Sequence, residues 1–210
     1  MLARRAVERA VADKERELAE EMRRIVEATF ELVERTGDVD PSMRQILAHT
    51  GLSTQAFYRH FLSKDELMLA LLDDGRRRLV ASLERRMEKA STPATRVQAW
   101  IEGVLAQAAD PTAAARTRPF LAGEARLAEM FPQEHRASVD LLVDLLIAPI
   151  AALVGTGRDA EPTRVRRHAH AVYRLTFATL HDHLIERAKP TRATVEHVVT
   201  FALGGIGGDG

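Results

Sequence analysis

From Lys14 to Arg35, apolar residues recur at Leu18, Met22, Ile25, Val26, Phe30 and Val33, with charged residues between them. Steps of three and four residues place that set on one face of a helix. Gly37, Asp38 and Asp40 stop it, and Pro41 prevents direct continuation. Ser42 followed by Gln45 is a capping-box pattern for a short second helix that buries Met43, Ile46 and Leu47 and ends at Gly51. Ser53 caps a third helix, with Ala56, Phe57 and Phe61 inward. A fourth starts at Ser63, with Asp65 and Glu66 in its first turn, where the helix dipole favours acids. Its stripe of Leu67, Leu71, Leu79, Leu83 and Met87 reaches toward Lys89, with Gly75 as the weak point.

Helical periodicity continues over Thr95–Ala109, over 112–130 with a bend near Pro119, and from Pro132 to Gly155. After the loop "GTGRDAEP" come helices over Thr163–Ala188 and Thr191–Leu203, and the tail "GGIGGDG" is expected to be disordered. The pattern therefore predicts an all-α chain of about nine helices.

Composition agrees: Ala, Leu, Glu and Arg are plentiful and aromatics are few. The chain of 210 residues has no cysteine, which excludes disulfides and thiolate metal sites and fits a reducing cytoplasm. No run approaches the roughly 20 apolar residues that span a bilayer, and no signal-peptide pattern opens the chain, so no membrane partner is expected.

Charge changes the picture. The 30 basic residues balance the 30 acidic ones, yet Pro41–Lys64 contains no carboxylate while holding Arg44, Arg59 and Lys64 with two histidines. Two short helices joined by the turn "HTGLS" have helix-turn-helix geometry, in which the second helix enters the major groove of DNA. Gly51 supplies a positive φ, Leu52 plugs the space between the helices, and Ser53 starts the next one. With Phe57 and Phe61 facing inward, Thr54, Gln55, Tyr58 and Arg59 project outward, as types suited to bases and phosphates. A carboxylate there would repel the phosphate backbone, which accounts for the cleared window.

The stretch "ILAHTGLSTQAFYRHFLSKDELMLALLD" resembles the signature of TetR/AcrR-family transcriptional regulators, close to "IAxxAGVSxGxLYxHFxxKxxLxxAxxx". The resemblance extends over about residues 20–74. It implies an N-terminal helix-turn-helix domain over 1–62, with 1–13 a flexible extension, and a helical effector-binding and dimerisation domain over 63–205. By the same resemblance Ser42, Lys64, Tyr58 and His60 touch phosphates, while Thr54, Gln55 and Arg59 occupy the variable reading positions. Arg44 and Ser53 complete the candidate DNA-binding set. Plainer readings stand beside these: Arg44 as a solvated base, His60 as a helix-end histidine, Tyr58 as a surface packer. Gln55 replaces the commoner glycine, and Leu47 and Thr50 stand where alanines are usual.

The resemblance implies a homodimer on a palindromic double-stranded operator, released by a small-molecule effector, hence a repressor. For the interface, the apolar positions of the last two helices are Val165, Val172, Leu175, Leu180, Leu184, Val195, Val198 and Val199. For the effector, Trp100, Phe120, Met130, Phe131, His135, Leu142, Tyr173 and Phe177 are candidates to line a mainly apolar pocket. His168 and His170, like His181 and His183, are two apart and so point to different sides of a helix, so no metal is expected. No nucleophile turn or Gly-rich phosphate loop occurs, so neither enzymatic activity nor a cofactor is expected. The alternative is a helical small-molecule-binding protein whose helix-turn-helix serves a non-DNA partner.

Overall fold

The computed structural model describes residues 2–38, 41–121, 123–155 and 161–207. Ten helices account for nearly all of them, with no strand among the described residues. They form two compact units that divide between Leu71 and Leu72, rather than between 62 and 63.

The first unit contains α1 (Leu2–Thr36), α2 (Met43–Thr50), α3 (Thr54–Tyr58) and the start of α4 (Lys64–Met87). Its core is Ile25, Val26, Phe30 and Val33 of α1, Ile46 of α2, Phe57 and Phe61, and Leu67 and Leu71 of α4. The α1 stripe is buried only from Ile25 onward, because the helix is longer than the core its C-terminal part packs against; Leu18 and Met22, expected inside, are exposed. Residues 2–13, expected as a flexible extension, are helical. Ion pairs three residues apart, Arg16–Asp13, Lys14–Glu17 and Arg23–Glu20, line the exposed part of α1 beyond.

The second unit contains the rest of α4 and α5 (Pro93–Ala109), α6 (Pro111–Leu121), α7 (Glu124–Met130), α8 (Pro132–Val154), α9 (Pro162–Glu186) and α10 (Arg192–Gly207). The expected single segment over 112–130 is two helices, which is why ten elements stand where nine were predicted. At the centre α5, α8 and α9 pack on one another through Trp100, Ile101 and Val104, Leu142, Leu146 and Ile150, and Ala169, Val172 and Leu180. Gly103 lets α4 approach α5: a Cβ there would lie 2.5 Å from Leu83 Cδ2. Arg118 of α6 donates to the Leu184 carbonyl in the last turn of α9, at 3.0 Å.

Two expectations are corrected here. The glycine-rich tail is not disordered as far as Gly207: α10 runs through it, and Ile206 is buried against the core. Burial of that one side chain outweighs the poor helix propensity of its glycine neighbours; residues 208–210 lie outside the described residues. Further, α8 is by length and hydropathy apolar enough to cross a membrane, contrary to the reading that no run approaches this. Its charges explain where it sits instead. Asp140 and Asp144 both pair with Arg166 of α9, at 2.8 and 3.1 Å, while Leu142, Val143, Leu146 and Ile150 fill the bundle centre.

Candidate nucleic-acid interface

Local chemistry shapes the helix-turn-helix at each corner. Ser42 Oγ accepts from the Gln45 backbone N–H at 3.3 Å, and the Gln45 side chain accepts from the Ser42 N–H at 2.7 Å, so the capping box is closed in both directions. Gln45 Nε2 also donates to Asp38, at 3.2 Å. Gly51 ends α2 at φ +70°, its N–H donating to the Leu47 carbonyl at 3.0 Å. Ser53 Oγ then accepts from the Ala56 N–H at 3.1 Å and starts α3.

Helix α3 has five residues, and its orientation is set by two rings on its inner side. Phe57 and Phe61 are 0% and 1% exposed, with centroids 5.6 Å apart. Tyr58 meets the edge of Phe57 at 5.4 Å and is itself half-exposed. Thr54, Gln55, Tyr58 and Arg59 are all exposed, on the side away from those rings. Ser42, Arg44 and Ser53 are also exposed, and Lys64 is half-buried at the start of α4. This face offers donors, acceptors and cations without a carboxylate of its own, which is what phosphates and base edges require.

His60 is placed otherwise than expected. Its side chain is 2% exposed and Nε2 lies 3.0 Å from the Glu21 carboxylate of α1, so it faces the core of its own unit rather than a phosphate. Nε2 is closed off from water and makes no aligned hydrogen bond. Leu62, which sequence reasoning passed over, is the most exposed large apolar side chain described here, at 84%.

In the second unit, the predicted effector residues are only partly gathered. Trp100 and Leu142 are fully buried, and the indole N–H donates to the Leu142 carbonyl at 3.2 Å. Phe177 lies 6.4 Å from Trp100 and stacks on Tyr173 at 4.4 Å. Phe120 is buried on α6, and Phe131 is half-buried at the α7–α8 joint. Met130 is about half exposed. His135 Nε2 lies 3.1 Å from Glu124 and 3.3 Å from Arg76.

Arg76 is the residue that sequence reasoning missed. It is buried, ion-paired with Glu124, and close to the Tyr173 hydroxyl. The run "GRRR" reads as solvated, yet Leu72, Arg76, Leu79 and Leu83 share one helical face, and that spacing was the available signal. Burial pushes the Tyr173 phenol up to about 12; Arg76 pulls against the shift and Glu124 adds to it.

The expected interface stripe is corrected as well. Val165, Val172, Leu180, Leu184, Val198 and Val199 are buried in the core of their own unit, and Leu175 and Val195 pack partly against it. What α9 and α10 leave outside are Ile185 and Phe201, each more than 60% exposed, with Ala171, Ala178 and Ala193. Among the described residues no cluster of three or more potential metal ligands occurs.

Residues 25–71 match the family profile of bacterial regulatory proteins, tetR family. Among solved structures, the chain is similar to the fatty acid degradation regulator FadR from Bacillus halodurans, with a TM-score of 0.63 at 18% identity over 88% of this chain and 95% of that one. It is similar also to a TetR-family transcriptional regulator from Agrobacterium tumefaciens, with a TM-score of 0.55 at 23% identity over 89% and 97%. No curated protein sequence matches the chain. The tetR match covers the helix-turn-helix described above, so residues 25–71 resemble the reading unit of that family, and the chain as a whole shares the helical fold of these solved regulators.

Proposed function

We propose that this chain is a TetR-family homodimeric repressor that reads a palindromic operator through α3 and releases it when a small, largely apolar effector binds the second unit. The observation that carries this reading is the exposed, carboxylate-free face of Thr54, Gln55, Tyr58 and Arg59, held outward by Phe57 and Phe61. Thr54, Gln55 and Arg59 read bases or neighbouring phosphates; Ser42, Tyr58 and Lys64 position the backbone, and Ser53 and Arg44 flank them. Gln55 can pair bidentately with adenine.

Dimerisation places two reading heads one helical turn of DNA apart, about 34 Å. The outward Ile185 of α9 and Phe201 of α10, with the exposed small residues Ala171 and Ala178 of α9 and Ala193 of α10, supply an isologous face better than the buried valines and leucines. The effector acts through α4, whose residues 64–71 belong to the first unit and whose remainder belongs to the second. A tilt of that helix displaces Lys64, and a coupling of about 1–3 kcal/mol lowers operator affinity roughly 5- to 150-fold. Such a regulator acts in the cytoplasm, and it performs no catalysis.

Selection of bound fragments from a random duplex library tests the reading. An enriched short palindrome, bound as a dimer with strong salt dependence, is the expected result. No enrichment, or binding that salt does not weaken, overturns it in favour of a helix-turn-helix that serves a protein partner.

A further inference from the structure

Four buried side-chain polar atoms among the described residues have no hydrogen-bond partner: His60 Nε2, Arg76 Nη1, Ser138 Oγ and His183 Nδ1. Two of the four belong to one place. Arg76, on α4, is 5% exposed, and its Nη2 engages Glu124 and His135. Ser138, 3% exposed, follows His135 by three residues, one turn further along α8 and on the same face.

The contacts of the residues around these two side chains trace a ring that the α8 backbone closes. Arg76 meets the Tyr173 hydroxyl, Tyr173 stacks on Phe177 of the same helix, and Phe177 neighbours Trp100 of α5. Trp100 donates to the carbonyl of Leu142, which lies four residues after Ser138 on α8, and His135 returns to Arg76. One side of the ring is polar (Arg76, His135, Ser138, Tyr173), and the other is apolar (Trp100, Leu142, Phe177). All of these residues belong to the second unit.

Unused hydrogen-bonding capacity on the polar side is mainly that of donors. Arg76 Nη1 holds two hydrogens with no acceptor, and the Ser138 hydroxyl has one. Tyr173, beside Arg76, has its own hydrogen to give; with its phenol pushed up to about 12, it remains a donor at neutral pH. Buried donors without partners are rare in native proteins, and a buried guanidinium donor most of all, so an acceptor belongs there. Glu124 does not fill the role: it sits on Nη2, and about a third of its side chain is open to water. A planar anionic acceptor fits the guanidinium edge best, because such bonds are charge-assisted and match its geometry.

We propose that Arg76, Ser138 and Tyr173 bind the carboxylate head of a small amphiphile whose apolar body lies against Trp100, Leu142 and Phe177. Glu124 and His135 are positioning residues that hold the guanidinium from its other nitrogen. The proposal rests on the reading of the chain as effector-responsive and names the chemistry of that effector.

The test is binding to the purified full chain in the absence of DNA, by calorimetry and by the fluorescence of Trp100, the only tryptophan. The probes are hexanoate, decanoate and 4-phenylbutyrate, each paired with its primary alcohol. At least one carboxylate should bind ten times or more tighter than its alcohol. Arg76→Met should erase that preference and leave the alcohol's affinity unchanged, while Ser138→Ala and Tyr173→Phe each weaken the carboxylate several-fold. The proposal is overturned if no carboxylate binds, if acid and alcohol bind alike, or if the preference survives Arg76→Met. Should Arg76→Met not fold, the two hydroxyl deletions decide: unchanged carboxylate affinity in both overturns it. Operator binding, read separately by gel shift, keeps the two readings apart. A chain that binds carboxylates but no DNA sinks the repressor, and one that binds DNA but no carboxylate sinks only this proposal.

Discussion

Glu124→Ala should destabilise the second unit more than Arg76→Met, although both remove the same ion pair. What decides the cost is the group left behind. Arg76 is 5% exposed and Glu124 36%. Removing Glu124 strands a guanidinium away from water, and breaking a buried pair in that way costs about 3–5 kcal/mol. The lower end applies, about 3 kcal/mol, because water already screens part of the carboxylate. Removing Arg76 instead leaves a carboxylate that can turn to solvent, keeps the apolar stem in methionine, and deletes the unpartnered Nη1. Its cost should be at most about 1 kcal/mol, as for other volume-conserving swaps. For a chain of this size, each kcal/mol moves the midpoint by about 2–4 °C. Glu124→Ala should therefore lower the melting midpoint by about 6–12 °C and Arg76→Met by no more than about 4 °C. Trp100 is fully buried in the second unit, so its fluorescence on heating reports that unit. In the double variant, loss of Glu124 should add little once Arg76 is gone. A larger drop for Arg76→Met than for Glu124→Ala would refute the argument from the stranded charge.

Three further outcomes follow from individual residues. The chain has two tyrosines, and the phenolate absorbance lost in Tyr173→Phe should titrate about two pH units above 10, its ordinary value. A folded pKa raised in this way gives stability that is full below pH 10 and is lost as pH rises through about 12; a titration midpoint at 10 would show the ring to be open to water. Arg187 caps α9 in the left-handed region at φ 55°, so Arg187→Gly should raise stability by about 1 kcal/mol, and a lowered melting point would contradict the strain. Phe201→Asp should convert dimer to monomer in sedimentation with the far-ultraviolet dichroism intact, and an unchanged mass would move the interface elsewhere.

Local chemistry was legible in the sequence wherever one residue decides a corner. Ser42, Gly51 and Ser53 could be assigned their caps because each works through backbone atoms within four residues. Phe57 and Phe61 were equally plain, since one turn of helix fixes their common side. Residues whose surroundings come from elsewhere in the chain were not legible. His60 is buried beside Glu21, thirty-nine positions earlier, which no local pattern announces. Val165, Val172 and Leu184 formed a stripe, but a stripe does not say which surface covers it; the core of their own unit does. Ile206 shows the same limit from the other side, because glycine neighbours hid a helix that tertiary burial maintains. Arg76 stood on a readable face and was obscured by its arginine neighbours.

The central claim is that the exposed side of α3 reads DNA, and the most direct measurement is the affinity of wild type and Arg59→Ala for the selected operator and a scrambled duplex across a salt series. The account predicts that Arg59→Ala costs about 1–3 kcal/mol on the operator and far less on the scrambled duplex, so that sequence preference narrows. Equal losses on both duplexes would reduce Arg59 to a phosphate contact, and no loss on either would contradict the assignment of this face to DNA.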